Sequence, residues 1–75
     1  MSDHRLDCQR LLCPLPVIRT QNKVKELAVG DTLCVVCTDP GTKNDIPAWA
    51  RIHGHSLVSI EDKDDLIYIV VRVGA

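Results

Sequence analysis

The chain has 75 residues, 45% of them apolar, and a formal net charge of −1. That length sets one domain, residues 1–75, as the expectation, with about 60% of the unfolded surface buried and little room for a deep catalytic cleft. Only two aromatics, Trp49 and Tyr68, and no basic block argue against direct nucleic-acid binding.

The opening "MSDHRLDC" has no apolar run that reads as a leader, and no later run approaches the ~20 residues of a membrane helix. The cytoplasm is therefore the expected compartment, and there disulfides are rarely structural. The four cysteines, Cys8, Cys13, Cys34 and Cys37, are read as thiols, ligands or nucleophiles.

In chain order, Arg5 to Cys8 reads as a short first strand. Pro14 to Ala28 reads as a helix, because Val17, Thr20, Gln21, Val24, Leu27 and Ala28 recur at three- and four-residue spacing. Val29-Gly30-Asp31 stops it, with Gly30 free to take positive φ. "TLCVVCT" is a β-branched, nearly continuous apolar run, as in a well-buried strand. After the turn "DPG", Thr42 to His53 predicts a second helix with Ile46, Trp49, Ala50 and His53 on one face. Thr42 and Asp45 have capping-box spacing, and Pro47 is acceptable only near the first turn. "HSLVSIE", the turn "DKDD" and "LIYIVVRV" complete the chain as two strands. In the last, Ile67, Ile69, Val71 and Val73 alternate with Leu66, Tyr68, Val70 and Arg72, and the first set is expected to meet the helices. The order βαβαββ defines an α/β (α+β) two-layer sandwich. The second and fourth strands, the most apolar, belong in the middle of the sheet.

"CVVC" has the spacing of a redox pair but not the setting. In a strand, a rise of about 3.3 Å per residue puts Cys34 and Cys37 roughly 10 Å apart on opposite faces, and a disulfide needs Cα atoms within about 7 Å. They read as small core fillers. Zinc would draw on the cysteines with His4, His53 and His55, yet structural zinc favours two close ligand pairs on turns, which a strand does not give. No metal or cofactor is expected.

"LLCPLP" differs from these. With Cys13 at the N-cap, Pro14 takes N1 and Pro16 N3, positions whose N–H groups have no helical partner. A thiolate at Cys13 would then feel the positive helix end, with Arg10 and Arg19 adding charge nearby, and its pKa would fall. The plainer alternative is a helix start that happens to contain a buried cysteine.

"LDCQRLLCPLPVIRTQ" (6–21), "LAVGDTLCVVCTDPGTKNDIPAWARIHGH" (27–55) and the closing strand hairpin resemble the TusA (SirA-like) sulfur-carrier family, over nearly the whole chain. The resemblance implies a mixed four-stranded sheet in the order 1-2-4-3. It implies a carrier rather than an enzyme, holding sulfur as a persulfide on Cys13, with Pro14, Pro16 and Asp45 at motif positions. A cysteine desulfurase or rhodanese-like protein would load it. A downstream sulfurtransferase would unload it, toward tRNA thiolation, cofactor synthesis or sulfur oxidation. A monomer is expected, with a docking surface formed by Gln9 to Leu12, the first turn of the first helix and Arg19. Asp45 is expected to act mainly as a cap or tie. The family usually has Gly where Arg10 stands, and Cys8 lies outside its core motif. The rival readings are a small regulatory or RNA-binding module and a thiol redox protein using Cys8 and Cys13. A pure carrier should keep Cys8 buried or turned away.

Overall fold

Six elements follow one another in the computed structural model, which describes residues 2–74: β1 (Asp3–Cys8), α1 (Leu15–Val24), β2 (Thr32–Cys37), α2 (Thr42–Ile52), β3 (Ser56–Lys63) and β4 (Leu66–Arg72). The strands form one sheet in the order β1-β2-β4-β3. β1 runs parallel to β2, and β4 runs antiparallel to both β2 and β3. The βαβαββ mixed sheet with two helices is thus the architecture expected, and the two most apolar strands occupy its centre.

Alternation decides what each strand buries. Leu33, Val35 and Cys37 of β2 and Ile67, Ile69 and Val71 of β4 point inward, joined by Val73, and pack with Val24 of α1 and Ile46, Trp49 and Ala50 of α2. Burying each large aliphatic among these is worth roughly 1.5–3 kcal/mol. The outward face keeps Cys34, Leu66, Tyr68 and Val70 half-buried. Val36 lies on that face too, yet it is buried, opposite Asp7 on one side and Tyr68 on the other. The Arg5 guanidinium stands 5.8 Å from the Tyr68 ring centre.

The edges differ from the sequence reading in ways the backbone explains. β1 begins at Asp3 because its ladder with β2 runs from Asp3–Thr32 to Cys8–Cys37. α1 is shorter than expected and ends at Val24; Glu26 and Leu27 donate only to the carbonyls three residues back, a tightening last turn. Its buried stripe is Pro16, Thr20 and Val24, while Gln21 and Ala28, expected inside, are exposed. Thr20 tolerates full burial because its hydroxyl donates to the Pro16 carbonyl at 2.7 Å. β3 runs through Asp62 and Lys63, so the turn is Asp64-Asp65 alone. Both residues have positive φ, 54° and 65°, the backbone of a two-residue type I′ hairpin. Gly30 takes φ 95° as expected, and its N–H reaches the Val73 carbonyl at 2.8 Å.

In α2, Gly41 rather than Thr42 is the N-cap, and no side chain caps the helix. Thr42 is buried instead, its hydroxyl donating to the Asp39 carbonyl at 2.7 Å. Pro47 lies inside the helix, beyond the first turn, and so removes the bond its N–H would have given one turn back. His53, placed on the apolar stripe by its spacing, is the exposed C-cap. Its ring still stands 5.6 Å from Trp49, with His55 at 5.0 Å on the same indole.

Candidate functional site

The parallel pairing of β1 and β2 sends both strands' carboxyl ends to the same edge of the sheet, and each is followed by a helix. The two strand-to-helix loops therefore lie side by side, a placement that commonly brings side chains together for chemistry. Cys13 comes from the first loop. Thr38, Asp39 and, one turn into α2, Asp45 come from the second.

The first loop leaves β1 through a tight turn. Gln9 N–H donates to Asp7 Oδ1 at 3.0 Å and Leu11 N–H to the Cys8 carbonyl at 3.3 Å. Arg10 has φ 65°, the left-handed region that glycine enters freely and other residues enter at a cost. Its N–H is held by Thr38 Oγ1 at 2.9 Å. Arginine thus stands on a backbone suited to glycine.

Cys13 and Pro14 share a turn that precedes α1, and the peptide bond between them is cis. Leu15 N–H donates to the Leu12 carbonyl at 2.9 Å, and the first helical bond runs from Ile18 N–H to the Pro14 carbonyl at 3.1 Å. The cap is therefore Pro14, and Pro16 sits at the second helical position, each one step from where spacing alone put it. Cys13 lies outside the helix.

Two carboxylates hold the cysteine. Asp39 Oδ2 accepts from the Cys13 N–H at 3.1 Å, while its Oδ1 accepts from the Gly41 N–H at 3.0 Å. Asp45 Oδ2 accepts from the Cys13 thiol, with sulfur and oxygen 3.2 Å apart. The thiol's pKa is raised, first by this hydrogen bond to Asp45, then by partial desolvation and the negative charges of Asp45 and Asp39. The expectation of a lowered value is corrected here. A helix end acts within about one turn and is worth 0.3–1 kcal/mol at an exposed site, and the carboxylate is in direct contact. Arg10 and Arg19 are both exposed, and neither is among the groups that move the Cys13 thiol; the Arg19 charge acts on Cys8 instead.

The other thiols have different surroundings. Cys8 and Cys37 are fully buried neighbours across the β1–β2 ladder. Burial raises both, Cys37 to about 11. Cys34 is half-buried on the outer sheet face, and all four cysteines are free. Cys13 is the exposed one. It lines none of the three grooves, of about 280, 330 and 250 Å³, found elsewhere on the surface. Among the described residues, no three or more His, Cys, Asp or Glu side chains converge on a possible metal position.

Asp39 and Thr38 are the residues that sequence reasoning missed. "DPG" signals an aspartate folding back on the amide two residues ahead. Nothing in that signal announces that the second carboxylate oxygen reaches Cys13, 26 positions away. Asp45, expected to cap α2 or tie it to the neighbouring loop, caps nothing and is the partner of the Cys13 thiol on that loop.

A two-layer sandwich with an exposed thiol held at paired strand-to-helix loops defines a class of small cysteine-bearing α/β proteins. Within that class, the family described as sulfurtransferase TusA matches residues 4–73, and the chain belongs to this TusA (SirA-like) family. It is 40% identical over 73 residues to the protein named "Putative sulfur carrier protein YrkI" of Bacillus subtilis (strain 168), covering 97% of each chain. It is 33% identical over 69 residues to "Putative sulfur carrier protein YrkF" of the same organism, spanning 92% of this chain and 37% of that one. A "Putative sulfur carrier protein" of Aquifex aeolicus (strain VF5) is 40% identical over 62 residues, 83% of this chain and 32% of the other. The chain thus spans about a third of the length of the last two relatives. The fold matches the crystal structure of a SirA-like protein from Desulfitobacterium hafniense with a TM-score of 0.83 at 22% identity, over 96% of this chain and 99% of that one.

Proposed function

We propose that this protein is a sulfur carrier that accepts sulfane sulfur as a persulfide on Cys13 and passes it on. The observation that carries this reading is the contrast among the four thiols. Cys13 is exposed on a loop pinned at both its amide and its sulfur, while Cys8 and Cys37 are sealed in the core. A carrier needs one atom that two different proteins can reach in turn, and it needs no cleft of its own.

Loading is a thiol exchange. The Cys13 proton leaves to solvent, and the thiolate attacks the outer sulfur of a donor persulfide. The bond from Cys13 to that sulfur forms as the donor's own S–S bond breaks, and the donor cysteine departs as a thiolate. Unloading repeats the step in the other direction toward an acceptor. Sulfur moves without net oxidation or reduction, and no acid, base or metal is required of the carrier. A cysteine desulfurase or rhodanese-like protein is the donor class, and a downstream sulfurtransferase the acceptor class. The product sulfur would enter tRNA thiolation, cofactor synthesis or sulfur oxidation in the cytoplasm. Among the described residues, no helix is long and apolar enough to cross a membrane. Pro14 and Pro16 fix the turn that presents the sulfur, and Asp39 and Asp45 anchor it. Trp49 is buried in the core and so offers no stacking platform to RNA, which weighs against the nucleic-acid reading.

The test is incubation with a cysteine desulfurase and cysteine, followed by intact mass under non-reducing conditions. The parent should gain one sulfur atom, Cys13→Ser none, and Cys34→Ser and Cys37→Ser nearly as much as the parent. Persulfide on the Cys13→Ser variant would overturn the assignment.

A further inference from the structure

A groove of about 280 Å³ opens where α1 and α2 end, at the opposite end of α1 from the Cys13 turn. Its buried part is apolar, made by the Trp49 indole, Val24 and Leu27. Its rim is polar: Gln21, Lys25 and His53 are exposed and His55 is half-buried. Among the described residues, none that lines it is acidic.

Two N–H donors belong to this lining. The Trp49 indole N–H is buried and has no acceptor among the described residues. A buried indole N–H usually finds one, and leaving it unmet costs free energy. His55 supplies the second donor. Its Nδ1 accepts from the Gly74 N–H at 3.0 Å, so the neutral ring carries its proton on Nε2. Burial, then the charge of His53, holds the His55 pKa below the usual histidine value, which keeps the ring neutral at pH 7. The same tautomer argues against a metal, because Nε2 could ligate one only by giving up the Gly74 bond. Both imidazoles lie against the indole, with ring centres 5.6 and 5.0 Å from it.

Charge sets the sign of the ligand. Lys25 belongs to neither of the ion pairs among the described residues, His4–Asp31 and Lys43–Asp62. The carbonyl end of α2 does not cancel its charge. The Trp49, Ala50 and Arg51 carbonyls already accept from the N–H groups of His53, His55 and Gly54, at 3.0, 2.8 and 3.4 Å. A helix end is also only about half an elementary charge.

We infer that this groove is a binding site for a small organic carboxylate, its apolar body against Trp49, Val24 and Leu27 and its acid group held by Lys25 and the His55 Nε2–H, with the Trp49 N–H as the remaining donor. The exposed rim side chains can reorient to admit it. The volume lies at the small end of ligand sites, about 300–1,000 Å³, and suits a single ring bearing one acid group.

Trp49 is the only tryptophan, so the full chain labelled with nitrogen-15 gives one indole N–H cross-peak that reports on the groove. The probes are benzoate, its uncharged isostere benzamide, and inorganic phosphate, an anion with no apolar body. Benzoate should move the indole cross-peak saturably, and benzamide and phosphate should bind at least tenfold more weakly. Lys25→Gln should weaken benzoate binding at least fivefold. Lys63→Gln, an exposed lysine on a different groove, should leave it within about twofold of the parent. A benzoate titration that leaves the indole cross-peak in place would overturn the inference, as would equal binding of benzamide or parent-like binding by Lys25→Gln. Equal weakening in Lys63→Gln would reduce the effect to net charge and overturn it too. Phosphate binding as tightly as benzoate would overturn the role of the apolar wall. Benzoate shifts confined to the amides around Cys13 would place the site elsewhere and overturn the assignment to this groove.

Discussion

The Cys13 sulfur and Asp45 Oδ2 lie 3.2 Å apart, with the thiol donating, although 32 positions separate the two residues. A carboxylate accepting from a thiol favours the protonated sulfur, and the raised pKa of Cys13 follows from this contact first. Asp45→Asn removes the charge while keeping an oxygen that can accept. The thiol titration should then move to lower pH. At neutral pH, alkylation of Cys13 by iodoacetamide should run several-fold faster in the variant than in the parent, with the difference closing at high pH, where both are thiolates. Equal rates across the pH range would show that Asp45 does not control the sulfur.

Asp39 is the mechanical anchor of the site. One of its oxygens holds the Cys13 amide and the other holds the Gly41 amide. Asp39→Ala should speed hydrogen exchange at the Cys13 and Gly41 amides while amides in β4 keep their protection. It should also lower stability by about 1–2 kcal/mol for two amides left without their acceptor, read from urea unfolding.

Arg10 pays for its left-handed backbone. A side-chain-bearing residue at φ 65° carries a cost of about 1–2 kcal/mol that glycine avoids. Glycine returns part of that gain through a more flexible unfolded chain. Arg10→Gly should therefore raise the unfolding free energy by up to about 1 kcal/mol, and Arg10→Val should lower it, since β-branched residues fit this region worst. If Arg10→Gly is more stable yet charges more slowly from a protein donor, the side chain contributes to the encounter and the backbone does not.

Asp31 ties the start of the chain to the turn before β2. Its Oδ1 accepts from the Ser2 N–H at 3.0 Å, and its Oδ2 accepts from the Ala28 N–H at 3.1 Å and meets His4 Nε2 at 3.2 Å. The two backbone donors, Ser2 first, hold its pKa below the ordinary aspartate value. A depressed folded-state value means stability that is complete above the unfolded pKa of about 4 and lost as pH falls through the folded one. Thermal unfolding between about pH 6 and pH 2 should show a steeper acid loss in the parent than in Asp31→Asn, which should already be less stable at pH 6.

Sequence periodicity carried much of the fold. In β4, Ile67, Ile69 and Val71 alternate with side chains on the open face, a pattern that names the strand and its buried side together. α1 was legible as a helix, but not its exact start. Proline at either of two adjacent positions satisfies the same rule, and the choice fell to a bond between Leu15 and Leu12 that is local yet has no residue signature. The site was half legible. Cys13 stood out through the prolines around it. The sign of its electrostatics did not, because it depends on two aspartates delivered from the neighbouring loop by parallel strand pairing. Asp45 matched a capping pattern, and that local reading masked its long-range contact.

The complete burial of Cys8 bears on how long a cargo would last. Cys8 ends β1 only five residues before Cys13, close enough in sequence to suggest an internal exchange. Its sulfur is instead enclosed beside Cys37, and burial holds it in the unreactive thiol form. An internal attack on a Cys13 persulfide would expel sulfide and leave a disulfide, so it would first require the edge of the core to open. The lifetime of a charged molecule would then be governed by collisions with other thiols rather than by its own clock. Storage would depend on the surrounding solution, lengthening as free thiols become scarce and unaffected by Cys8→Ser.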